Sequence, residues 1–135
     1  MFLQGKIEFF IYNLYNKVIM PSFKEITNSD DFPLELDNSI VLVNFSATWC
    51  GPCKVLYPEL VKLSEMMSYK DVKFLKVMVD DCDELIEEYK VSNFPTCVIF
   101  ENKKEIIRTV GTIDTIAILK SRLAVCLSKI QDDTF

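Results

Sequence analysis

Apolar positions recur along the chain in two rhythms. Ile40–Phe45 (IVLVNF) is an almost unbroken apolar run rich in β-branched residues, the pattern of a strand buried on both faces. Val72–Asp80 (VKFLKVMVD) alternates and predicts another strand, while Ser22–Thr27 alternates loosely around Phe23 and Ile26 and predicts a short edge strand. Thr96–Glu101 and Glu105–Val110 read as two strands joined by the turn Asn102-Lys103-Lys104. Elsewhere the period is helical. Leu56, Leu60 and Leu63 share one face of a helix predicted from about Cys50 to Ser68, with a kink at Pro58, which lacks an N–H and crowds the preceding turn. Ile116, Leu119, Leu123 and Leu127 form the inward face of a closing helix over Thr115–Ile130. Shorter helices are predicted at Asp30–Leu36, with Ser29 as N-cap, and at Asp83–Tyr89. The order βαβαβ, then a hairpin, then a helix, predicts an α/β fold: a mixed sheet with helices on both faces.

The first 19 residues depart from this pattern. They are apolar and aromatic, but Asn13, Asn16 and Lys17 interrupt the run, no small-x-small cleavage site follows, and there is no Arg. Three readings stand: a segment dispensable for the fold, a targeting or anchoring segment, or an extra helix packed on the domain. Residues 20–135 read as one domain, without linker or repeat.

A chain of 135 residues buries enough surface to fold without disulfides. Its net charge is −5 and it has no basic cluster, which argues against nucleic-acid binding. No apolar run approaches the ~20 residues that span a bilayer. Histidine is absent, which removes Ser-His-Asp and Cys-His catalysis and His-ligated metal sites. Five cysteines remain, an odd count and not a dense one, which argues against a secreted disulfide scaffold.

Two of them carry chemistry. Trp49-Cys50-Gly51-Pro52-Cys53-Lys54 lies where the apolar strand gives way to a helix. Residues i and i+3 of a first helical turn share a face, so the two sulfurs can meet. Cys50 falls at the helix N-terminus, where unpaired N–H groups and the positive end of the dipole favour a thiolate. Cys53, one turn deeper, is placed to attack a mixed disulfide and release reduced product. Pro52 suits a first turn, and Gly51 permits close approach of a partner. Half a zinc site and a pair of inert structural cysteines are the competing readings. Zinc would need two more ligands, and no second CxxC exists.

Phe45-Ser46-Ala47-Thr48-Trp49-Cys50-Gly51-Pro52-Cys53-Lys54 resembles the active-site segment of the thioredoxin family. Phe94-Pro95-Thr96 resembles its cis-proline loop, and Gly111 falls where the family carries a glycine after the last strand. The likeness runs from about Pro21 to Ile130. It implies the thioredoxin fold, Cys50 as attacking thiolate, Cys53 as resolving thiol, and Trp49, Phe94, Pro95, Thr96 and Gly111 as a groove for an extended substrate segment. It also implies disulfide-containing protein substrates, a thioredoxin reductase or equivalent electron donor, and no bound cofactor beyond the cysteine pair.

One position departs from the family. Asn44 stands where thioredoxins usually carry a buried Asp thought to relay the resolving cysteine's proton. An amide cannot act as a base. The expectation is a working dithiol that is slower as a reductase and somewhat more oxidising. Cys97 and Cys126 read as small core fillers. Cys82 follows Asp80-Asp81 at a turn; exposure there, with oxidation or a dimer disulfide, is the lesser alternative to a structural role, since the nearby acids would raise its pKa and make it less reactive. The combined expectation is a monomeric protein-disulfide reductase acting in the cytoplasm. Its rivals are an oxidase or isomerase of an oxidising compartment and a low-turnover adaptor using the same groove.

Overall fold

In the computed structural model, residues 7–8, 23–37 and 39–132 are described. The expectations for residues 1–19 lie outside these, Ile7 and Glu8 aside. The chain runs β1 (Phe23–Ile26), a 3-10 turn (Ser29–Asp31), α1 (Phe32–Glu35), β2 (Ile40–Ser46), α2 (Gly51–Ser64), a second 3-10 turn (Met67–Tyr69), β3 (Val72–Met78), α3 (Asp83–Glu88), β4 (Thr96–Glu101), β5 (Lys104–Val110) and α4 (Thr115–Asp132). The strands form one sheet in the order β1-β3-β2-β4-β5. β3 pairs parallel with β1 and β2, whereas β4 pairs antiparallel with β2 and β5.

This order explains the sequence pattern. β2 is the middle strand, and all seven of its residues are buried. Val41, Val43 and Phe45 face a core completed by Phe32 of α1 and Leu85 of α3. Ile40 and Leu42 face the opposite core, with Leu56, Leu60 and Leu63 of α2 and Leu119 and Leu123 of α4. Each such fully buried Leu or Phe contributes roughly 1.5–3 kcal/mol of transfer free energy. The helices therefore cover both faces, as the element order requires.

Several boundaries differ from the pattern-based expectation. The first helix is split, and its cap is Asn28 rather than Ser29: the Asn28 side chain accepts from the Asp30 N–H at 3.0 Å. α2 stops at Ser64, four residues early, because Met66 turns extended and the chain restarts as a 3-10 turn. Pro58 lies inside this helix, as the pattern predicts. β3 ends at Met78 rather than Asp80. The β4–β5 turn is two residues, not three: Glu101 pairs with Lys104, while Asn102 and Lys103 have φ of 52° and 69°. Positive φ at both central residues is the turn whose twist suits a two-residue hairpin.

Candidate active site

The end of β2 sets the site. The chain leaves the sheet at Ser46, turns through Ala47–Trp49 with Cys50 N–H donating to the Ala47 carbonyl at 3.3 Å, and enters α2. Cys50 is the N-cap of α2, with extended backbone, and its Sγ accepts from the Cys53 N–H at 3.2 Å. A first-turn amide thus points at this sulfur, and Pro52 lies within that turn, where a missing N–H leaves nothing unpaired. Cys50 and Cys53 are joined as a disulfide, with Cα atoms 5.4 Å apart. Both are buried, against Ala47 and, partly, Val79 and Phe94. A Cβ at Gly51 would meet nothing within 4 Å, so the backbone beside the disulfide is open to an incoming chain.

The loop before β4 closes the other side. The Phe94–Pro95 peptide is cis, and the Phe94 carbonyl oxygen lies 3.5 Å from Cys50 Sγ. The Phe94 ring packs edge-on to Trp49, centroids 5.7 Å apart. Thr96, buried, donates from Oγ1 to the Asn93 carbonyl at 2.7 Å, and the Gly111 N–H donates to the Pro95 carbonyl at 2.8 Å. Gly111 has φ of 85°, which favours glycine there. The expected residues Trp49, Gly51, Pro52, Phe94, Pro95, Thr96 and Gly111 therefore gather around the sulfurs. Trp49 is 70% exposed, and Val110 and Ile113, which flank Gly111 in the chain, are 56% and 84% exposed. Neither was legible as part of an apolar surface, since strand and loop patterns do not report exposure.

Behind Cys53 lies a cavity of about 380 Å³, lined by Cys53, Thr48, Lys54, Tyr57 and Lys76 among others. Lys76 Nζ sits 3.9 Å from the Tyr57 ring centroid, a cation-π contact. Burial raises the Tyr57 hydroxyl pKa, and the Glu25 charge adds to it. Thr48 hydrogen-bonds the Asp80 carboxylate, which ties the motif turn to the end of β3. Asn44 is buried in the sheet beneath α2 and α4, paired in register with Lys76 and Cys97.

The remaining cysteines are all buried. Burial pushes the Cys97 thiol up to about 12 and, with the Glu101 carboxylate adding, the Cys126 thiol up to about 11. The exposed alternative for Cys82 is overturned: it is fully buried and its Sγ donates to the Ile26 carbonyl at 3.4 Å. Burial raises its pKa first, and Asp81, Asp83 and Glu84 add to it.

A family model described as Thioredoxin matches residues 22–123. The chain belongs to the thioredoxin family. It is 35% identical over 96 residues to a thioredoxin of Chlamydia trachomatis, covering 71% of this chain and 92% of that protein. It is 42% identical over 86 residues to a thioredoxin of Callithrix jacchus, covering 62% and 80%. Among solved structures, thioredoxin from Trypanosoma brucei brucei matches with a TM-score of 0.72 at 25% identity over 80% of this chain and 93% of that one. The Malassezia sympodialis thioredoxin Mala s 13 matches with a TM-score of 0.67 at 32% identity over 74% and 86%. The protein is a thiol-disulfide oxidoreductase, and the Cys50–Cys53 pair is its redox couple. Among the described residues, no helix is long and apolar enough to cross a membrane.

Proposed function

We propose that the protein reduces disulfides in other proteins, with Cys50 as nucleophile and Cys53 as resolving thiol. The position of Cys50 Sγ carries this reading: it caps α2, accepts the Cys53 N–H, and faces the groove beside Phe94. The Cys50 thiolate attacks one sulfur of the substrate disulfide, forming a mixed disulfide and expelling a substrate thiolate. Cys53, having lost its proton, attacks Cys50 Sγ and expels the second thiolate. The substrate gains two electrons and two protons, and the enzyme is left as the Cys50–Cys53 disulfide. Trp49, Phe94, Pro95, Thr96 and Gly111 hold the substrate segment in an extended form, Gly51 admits it, and Pro52 and Lys54 support the first turn of α2. A thioredoxin reductase or equivalent donor restores the dithiol, and no metal or organic cofactor takes part. The protein acts as a monomer in the cytoplasm, with residues 20–135 as the working domain.

Two measurements test this. Wild type reduces insulin disulfides with a thiol reductant, Cys50→Ser abolishes the activity, and Cys53→Ser accumulates the mixed disulfide; turnover that survives Cys50→Ser would refute the assignment. The reduction potential of the pair then places it. A value near the ~−270 mV typical of thioredoxin marks an electron donor, and ~−180 mV or above marks the oxidase or isomerase reading.

A further inference from the structure

α3 ends at Glu88, and its closing carbonyls accept from the Tyr89, Lys90 and Val91 N–H groups. The carbonyls of Tyr89 and Lys90, just past the helix, find their partners on another element. Arg108, on β5, donates from Nη2 to the Tyr89 carbonyl at 2.7 Å and from Nη1 to the Lys90 carbonyl at 3.0 Å. The same guanidinium donates to Glu105 from Nε at 3.2 Å and from Nη2 at 2.8 Å, so both sides of the fork are fixed. Lys90 has φ of 55°, and the Val91 N–H closes the helix onto the Ile86 carbonyl at 2.9 Å. The next residues are the loop that presents Phe94 and Pro95 to the disulfide.

That loop is anchored three times. Its end is held by the Gly111 N–H on the Pro95 carbonyl and its middle by Thr96 Oγ1 on the Asn93 carbonyl. Its start is held by Arg108. Ser92 and Asn93, between the anchors, are exposed, and among the described residues the only bond a side chain of either makes is between the two of them. We propose that Arg108 is a positioning residue for substrate binding: from β5 it sets the direction in which the Tyr89–Pro95 segment leaves α3, and so the place of the Phe94 backbone beside Cys50. This rests on the reading of Phe94–Thr96 as the substrate groove. The planar fork satisfies two adjacent carbonyls while paired to a carboxylate, a geometry that a lysine ammonium cannot reproduce.

The test uses the full chain with Arg108→Gln and Arg108→Lys, steady-state insulin reduction, and the emission of Trp49, the only tryptophan. A displaced loop weakens binding of the extended segment more than it slows thiol chemistry. Arg108→Gln is expected to raise KM for insulin about 3–10-fold with kcat within twofold, because KM reports uniform binding when chemistry is slow. The Phe94 edge on Trp49 is expected to loosen, shifting the emission, with Arg108→Lys intermediate in both. KM and emission unchanged in a folded Arg108→Gln, or a fall in kcat with KM unchanged, overturns the proposal. If Arg108→Gln does not fold, Arg108→Lys alone decides by the same readouts. A wild type that fails to reduce insulin removes the functional reading itself, whereas an active wild type with indifferent variants removes only the role of Arg108.

Discussion

Asn44 and Cys97 face each other across β2 and β4, and the Cys97 thiol donates to Asn44 Oδ1 at 3.8 Å. The pair belongs to a polar row across the sheet. Lys76 neighbours Asn44 on β3, and Thr109 neighbours Cys97 on β5. Thr109 Oγ1 is buried and has no hydrogen-bond partner among the described residues. Asn44 is a neutral amide in that row, bonded to a neutral thiol. A carboxylate at the same place would lose hydration in a strand whose every residue is buried.

Asn44→Asp is therefore expected to trade stability for speed. Burial raises the new carboxyl's pKa, so its penalty is absent below the unfolded value of ~3.9 and grows as pH rises above it. At pH 7 urea unfolding should show a loss of roughly 1–3 kcal/mol. The carboxylate fraction supplies a base for Cys53, and resolution of a preformed mixed disulfide should accelerate at least about tenfold, short of the ~10²-fold of a fully ionised general base. Equal resolution rates across pH would take position 44 out of the mechanism.

Thiol reactivity should be confined to one residue. In the reduced protein at pH 7.5, iodoacetamide is expected to modify Cys50, while Cys82, Cys97 and Cys126 remain unmodified until urea is added, since each is buried with its pKa raised. Peptide mass spectrometry reads this directly. Labelling of native Cys82 would restore it as an oxidation site.

The same thiols set the alkaline limit of the fold. Folded Cys97 and Cys126 titrate at about 12 and about 11, against 9.0 when unperturbed. Above pH 9 the unfolded chain loses these protons while the folded chain keeps them, so stability falls as pH rises. Per thiol the slope approaches about 1.4 kcal/mol per pH unit. Cys97→Ala and Cys126→Ala should each flatten the loss between pH 8 and 10 in urea unfolding, whatever they do to stability at pH 7.

Lys103→Gly should stabilise the hairpin. Lys103 holds φ of 69°, which costs an L-residue energy that glycine avoids, so a gain of about 0.5–1 kcal/mol is expected. A lower urea midpoint in the variant would count against this turn.

Much of this was legible in the chain, and the reasons are local. Ile40–Phe45 announced a central strand because burial on both faces leaves no polar alternation. Leu56, Leu60 and Leu63 announced a helix against it, and the six residues from Trp49 to Lys54 announced the chemistry. What stayed hidden depends on meetings between distant parts. Arg108 had no visible role because its partners, Tyr89 and Lys90, are carbonyls of another element. Cys82 left exposure open, lying among acids, but its sulfur turns inward to β1. The Asn28 cap was missed because Ser29 beside it satisfies the same local rule.

The strand order also governs when the site comes into being. β2 is second in the chain but middle in the sheet, between β3 and β4. During synthesis, Cys50 and Cys53 emerge long before Thr96–Glu101, which supplies one whole edge of hydrogen bonds to the strand that carries them. Until then the strand that leads to the two thiols can pair on one edge only, with β3, and Phe94 is not beside them. The groove is thus completed late, when the C-terminal half docks, and a chain arrested before β4 carries the full motif without the Phe94–Pro95 face of its site.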